Sequence, residues 1–297
     1  MSFTTLIKDE ITKEEGLESL TALHSYIKFN STITKDKLSI FVENASVARW
    51  LYKVIKSNYN IDVVLIFRVI KRFKTRNLYI LEIKEKLNLI KADSKDILNN
   101  IKVGSNEEKL AFLKGVFLSC GSINDPKTNQ YHLEFLVKEK KDATLINEIL
   151  LSFNFNSKIL KREREYMVYI KKSENISDFI KGVGATNALF YFEDIRIYKD
   201  HKNMVNRLNN FEQANMEKSL KSSKTIMDNI NYLEKNDLLG LFEERTKEII
   251  EYKKKYPDTT LNELAEIISL ETNKKITKSG VNHHFRKISE LIEKDTK

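Results

Sequence analysis

The chain has 297 residues, 41% hydrophobic and 10% aromatic, with only 8 Gly and 2 Pro, which supports one large or two ordinary domains and disfavours disorder and loop-rich β architecture. Its one cysteine, Cys120, excludes an internal disulfide and a multi-thiolate zinc site; no apolar run is long enough to span a bilayer, and no apolar leader opens the chain. Those features predict a soluble, intracellular protein, and a formal net charge of +9 favours an anionic partner.

The first half reads as a duplicated unit. A helix is expected over 13–29. Leu38 to Glu43 then alternates as a half-buried strand does. Val47, Trp50, Leu51 and Val54 follow at helical spacing, and the helix runs into Asn58-Tyr59-Asn60. A hairpin is predicted from 61–70 paired with 77–84. Between Val63 and Leu81 stand Arg68, Lys71, Arg72, Lys74 and Arg76, with no acid. Such one-signed clusters suit a phosphate-tracking surface, because neutralised phosphates release condensed counterions.

The pattern then repeats. A helix over 106–120 precedes a strand from Leu133 to Lys138. Ile146, Ile149, Leu150 and Phe153 repeat the apolar spacing, and Asn154-Phe155-Asn156 echoes the earlier tripeptide. A second hairpin is expected from 157–161 with 166–171, inside a stretch of six bases and two acids over 158–172. Helix, strand, strand, helix, strand, strand, twice, predicts two half-domains packed face to face. In the second helix Leu113, Gly115, Phe117 and Gly121 lead into Ser122-Ile123-Asn124-Asp125-Pro126. Small residues at 115 and 121 allow two helix backbones to approach closely. Here the chain resembles the LAGLIDADG homing-endonuclease fold, in which paired central helices lie between two saddle-shaped sheets. Carried over from that resemblance, the metal-binding acid position holds Cys120 in the second copy and Ile27 or a neighbour in the first. Neither is a carboxylate, so a nuclease fold without nuclease chemistry is expected. Asp36 and Asp125 are assigned to turn capping.

The stretch Phe192 to Lys199 fits strand or helix. Beyond it an amide-rich segment carries an apolar stripe of Met204, Leu208 and Phe211 and a polar face of Asn203, Asn206, Arg207 and Asn210. From Met216 to Leu239 a polar linker helix is expected. A helix over 242–256 stops at Pro257. Thr260 with Glu263 forms a capping box before Leu261, Leu264, Ala265 and Ile268. A polar turn over 269–276 precedes a last helix capped by Thr277, with Val281, Phe285, Ile288 and Ile292 inward. The last of three helices is basic on its open face, as in a helix-turn-helix. Lys278, Ser279, Asn282, His283, Arg286 and Lys287 are the candidate DNA-binding residues there, joined by Arg68, Lys71, Arg72 and Lys74 of the first basic run.

The fold class expected is α+β: a first LAGLIDADG-like half over 1–104, a second over 105–212, a linker helix over 213–235 and an all-α helix-turn-helix domain over 236–297. The string Lys278-Ser279-Gly280-Val281-Asn282-His283, with Gly184-Ala185-Thr186-Asn187-Ala188-Leu189 and Val205-Asn206-Arg207-Leu208, resembles the bacterial WhiA family over nearly the whole chain. That resemblance implies a nucleoid-associated, cytoplasmic transcription regulator linked to cell division, chromosome segregation and, in spore formers, sporulation. The partner expected is double-stranded DNA, with no membrane, no cofactor, no metal and no enzymatic activity. Adjacent His283 and His284 diverge on a helix and do not form a metal pair. Two alternatives stand: an active LAGLIDADG-type endonuclease, which needs two carboxylates, and a partner- or ligand-binding scaffold.

Overall fold

A computed structural model describes residues 2–13, 20–72 and 74–295, the side chains at 72–76 and 295 excepted. The chain divides between Asp200 and His201 into two compact units.

The first unit begins with α1 (Phe3–Ile11), capped by Ser2 and burying Phe3, Ile7 and Ile11. The repeat follows as α2 (Leu20–Asn30), β1 (Ser31–Ile33), β2 (Leu38–Val42), α3 (Ala45–Tyr59), β3 (Val64–Arg72) and β4 (Lys74–Ile83), then α4 (Leu87–Asn100). Its second copy is α5 (Asn106–Cys120), β5 (Gly121–Ile123), β6 (Leu133–Val137), α6 (Lys140–Ser152), β7 (Lys158–Lys161) and β8 (Tyr166–Ile170), then α7 (Ser173–Gly182). Each copy makes a four-stranded antiparallel sheet, ordered β1-β2-β4-β3 and β5-β6-β8-β7. One face of each sheet is apolar for the reason seen in sequence: side chains alternate along a strand. Leu38, Ile40 and Val42, and Leu133, Phe135 and Val137, all enter one core with the helices.

Helices α2 and α5 cross at Gly115. A Cβ there would lie 2.2 Å from the carbonyl oxygen of Ala22 and 2.7 Å from Ser25 Cβ, so only glycine permits this approach. Ser105 and Glu108 form a capping box at the start of α5.

Several expectations are corrected. Lys13 lies in a turn after α1 and does not open the first repeat helix, whose described part is Leu20–Asn30, with 14–19 outside the described residues. The first hairpin is longer and tighter than 61–70 with 77–84, because Arg72 pairs with Lys74. Strand register also shifts the match between the two copies by a helical turn. Leu38 pairs with Ile83 as Leu133 pairs with Ile170, so Leu51, Val54 and Ile55 correspond to Ile146, Ile149 and Leu150. The left-handed residues closing α3 and α6 are Asn60 and Asn154, so the two Asn-aromatic-Asn tripeptides are not equivalent position by position.

The stretch from Phe192 to Lys199 is helical. It belongs to α8 (Thr186–Lys235), which also takes in the expected linker. Ala188 and Phe192 join the first core, and Ile226, Ile230 and Leu233 the second. The second unit adds α9 (Glu244–Lys255), α10 (Leu261–Thr272) and α11 (Lys278–Asp295). The polar turn spans only 273–277, because α10 continues to Thr272 and ends on left-handed Asn273. Ser269 holds it: its Oγ accepts from Ile276 N at 3.0 Å and donates to Ala265 O at 2.7 Å.

Candidate nucleic-acid interface

The last helix is held from three directions. Val281, Phe285 and Ile288 are buried against Ile249, Ile250, Leu264, Ala265 and Ile268. Thr277 Oγ1 accepts from Gly280 N at 3.2 Å, which caps the helix. His284 Nδ1 meets Thr246 Oγ1 at 2.9 Å and ties α11 to α9. Burial, aided by His283 and Lys287, lowers the His284 pKa, so this contact is made by neutral imidazole.

With the inner face fixed, helical geometry sets the outer one. Lys278, Ser279, Asn282, His283, Arg286 and Lys287 are all exposed, in one band over the first half of α11. Arg286 approaches Glu290 at 3.5 Å, an exposed pair one turn on. The band presents bases, an amide and free helix N-terminal N–H groups together, which suits phosphate oxygens and base edges.

Lys253 is a part of this unit that the sequence reading missed. Its side chain is wholly buried, and Nζ donates to Pro257 O at 2.8 Å and Thr259 O at 2.7 Å. Burial lowers its pKa. The ammonium closes the loop that aims the Thr260 capping box; a lysine after a helical stripe gives no such signal in sequence.

The basic run of the first sheet is split by the strand period. In β3, Leu65 pairs with buried Leu81 and marks the helix side, so Lys71 lies on that side and Arg68 on the opposite face. Both are exposed. The expectations for Arg72 and Lys74 fall on side chains outside the described residues.

The acid position of the first repeat is also corrected. Ser31 pairs with Ile40 as Gly121 pairs with Phe135, each opposite the third residue of its partner strand, so Asn30, not Ile27, corresponds to Cys120. Across the α2–α5 pair, Asn30 Nδ2 donates to the carbonyl oxygen of Ser119, the neighbour of Cys120, at 2.8 Å. Burial pushes the Cys120 thiol up to about 11 and lowers Lys8 beside it to about 8. Asp125 caps a turn, its Oδ1 accepting from Lys127 N at 2.9 Å. Among the described residues, no three His, Cys, Asp or Glu side chains come together.

Comparisons with known proteins cover both units. The WhiA N-terminal LAGLIDADG-like domain matches residues 18–99, the WhiA LAGLIDADG-like domain 109–202 and the WhiA C-terminal HTH domain 205–292. The "Probable cell division protein WhiA" of Bacillus cytotoxicus is 38% identical over 309 aligned residues, covering 99% of this chain and 97% of that protein. The chain belongs to the WhiA family. Its Bacillus mycoides member is 37% identical over the same extents. A crystal structure of full-length DUF199/WhiA from Thermatoga maritima shares the fold, with a TM-score of 0.60 at 23% identity and 99% coverage of both chains. Two LAGLIDADG-like halves and a helix-turn-helix are thus the architecture of this WhiA member, and no helix among the described residues is long and apolar enough to cross a membrane.

Proposed function

We propose that the protein is a sequence-specific regulator that reads the major groove of double-stranded DNA through α11 and acts in cell division and chromosome segregation, in the cytoplasm at the nucleoid. The observation that carries this reading is the exposed band Lys278, Ser279, Asn282, His283, Arg286 and Lys287 on a helix whose other side is locked into a core. Asn282 has the geometry to pair with adenine and Arg286 with guanine, while Lys278 and Lys287 suit phosphates. The names of the relatives support the cell-division role. Arg68, on the sheet face away from the helices, adds a phosphate contact from the first unit.

The LAGLIDADG-like unit is read as nuclease-inactive. Asn30 and Cys120 stand where two carboxylates would be needed to hold a divalent cation against a phosphate. The domains are read as 1–104, 105–212, 213–235 and 236–297. Genome-wide capture of DNA on the intact protein tests the regulator: recovery of a common sequence motif supports it, and capture without sequence preference overturns it. Incubation with supercoiled DNA and Mg²⁺ or Mn²⁺ should leave the DNA uncut. Specific cleavage that survives repurification would sink the inactive reading.

A further inference from the structure

The two repeats differ most at their outer strands. β7 has four residues; its counterpart β3 has nine and forms the edge of its sheet, pairing among the described residues with β4 alone. Natural sheets shorten, cover or charge such edges, because unpaired N–H and C=O groups template another strand. This edge is long and carries apolar side chains on its helix-side face: Leu65 is 53% exposed, Phe67 54% and Val69 45%. Phe67 packs on Tyr79 with ring centroids 5.2 Å apart.

Beside that edge, under α3, lies an apolar cavity of about 540 Å³ lined by Ala45, Ala48, Arg49, Tyr52, Lys53, Leu65 and Tyr79. Its volume is that of a pocket for several buried groups. No carboxylate lines it. Arg49 and Lys53 stand on its rim and Lys71 on the same sheet face, all exposed. None of the three makes an ion pair with a described residue; Arg49 reaches only Ser46 Oγ, at 3.4 Å.

We propose that the groove between β3 and α3 receives an extended acidic segment of a partner protein, which adds a strand to the first sheet, seats apolar side chains beside Tyr52 and Tyr79 and sets carboxylates against Arg49, Lys53 and Lys71. Alternation sets the pattern of that segment: only every second residue of an added strand faces the cavity side, so its apolar residues and its acids must share one alternate set, the apolar ones over the cavity and the acids flanking them beside the three bases. Charge decides the occupant. A second copy pairing β3 with β3 would oppose Arg68 and Lys71 with like charges. A nucleic acid would leave the apolar cavity and the backbone edge unused. The site is separate from the α11 surface and does not rest on the DNA reading.

The test uses the full chain and a fluorescent peptide of the length of β3, with Leu or Val flanked by Glu in one alternate set of positions and Thr or Ser in the other. Fluorescence anisotropy should show saturable binding. Leu65→Asp, and Arg49→Glu with Lys53→Glu, should each weaken it about tenfold or more, as loss of one anchor or charge pair does. A peptide with Lys in place of its acids should bind the charge-reversed chain instead. N-methylation of one alternate set of peptide amides should abolish binding, and of the other set leave it intact. All substituted residues are exposed, and the peptide changes need no variant to fold. Three results overturn the proposal: no saturable binding, indifference to both N-methylated sets, or loss of DNA binding in the charge-reversed chain equal to its loss of peptide binding. Amide protection of β3 that rises with chain concentration alone would likewise overturn it in favour of a second copy.

Discussion

At the scale of single residues, the core of the first unit carries its own acid sensitivity. His24 is fully buried in α2; Nε2 meets Tyr59 OH at 2.8 Å, and that hydroxyl donates to Asp93 Oδ2 at 2.8 Å. Nδ1 has no hydrogen-bond partner. Burial lowers the histidine to about 4 against an ordinary 6.5, and Asp93 opposes this only in part. Above pH 6.5 the ring is neutral folded or unfolded, and nothing is lost. As pH falls from 6.5 to 4 the unfolded chain takes up a proton that the folded chain refuses, so stability declines, by about 3 kcal/mol in all. Urea unfolding at pH 7 and pH 4.5 should show His24→Met losing clearly less stability than the parent chain. An equal loss in both would assign the acid sensitivity to carboxylates elsewhere.

Elements depend on where faces meet. The α2–α5 crossing exists because position 115 has no side chain. Gly115→Ala would put a methyl group into the Ala22 carbonyl, a backbone atom that cannot swing aside, and should cost about 3 kcal/mol or more. Gly240→Ala, with nothing within 4 Å, should stay within about 0.5 kcal/mol, and thermal unfolding of the pair checks the contrast. In α11, exposed positions separate by role. Asn282→Ala should relax preference at one base position, by about 1–3 kcal/mol, and leave binding to random DNA nearly intact. Lys278→Ala should weaken every sequence alike. Competition binding against target and random duplexes reads both; an unchanged ratio for Asn282→Ala in a folded protein would move the reading surface off this helix. The amide-rich face of α8, where Asn203, Asn206, Arg207 and Asn210 are all exposed, would then lead.

For the whole molecule, the question is whether DNA touches both units. If Arg68 neutralises a phosphate, Arg68→Ala should flatten the plot of log K against log salt by about 0.9. Lys71→Ala, three residues on but on the opposite sheet face, should leave the slope as it was. Equal effects would mean that the run acts as diffuse charge.

Much of this architecture was legible in the residues alone. The paired order of helix, strand, strand, the three C-terminal helices, the Thr260–Glu263 box and the open basic face of α11 all follow from periods of two and 3.6 and from caps, signals confined to a few neighbouring positions. What needed the tertiary structure lies between distant positions. Register made Asn30, not Ile27, the counterpart of Cys120, because strand pairing counts residues from hydrogen bonds that a helical pattern does not contain. Glu10 accepts from Asn187 N at 2.6 Å and Ala188 N at 3.0 Å, capping α8 from 177 residues away. Lys253 was drawn inward by two carbonyls of its loop, and Arg68 and Lys71 were sent to opposite faces by their place on an edge strand. A local pattern states which side of an element is apolar; which partner covers that side, and at what register, is set by chain closure and packing across the fold.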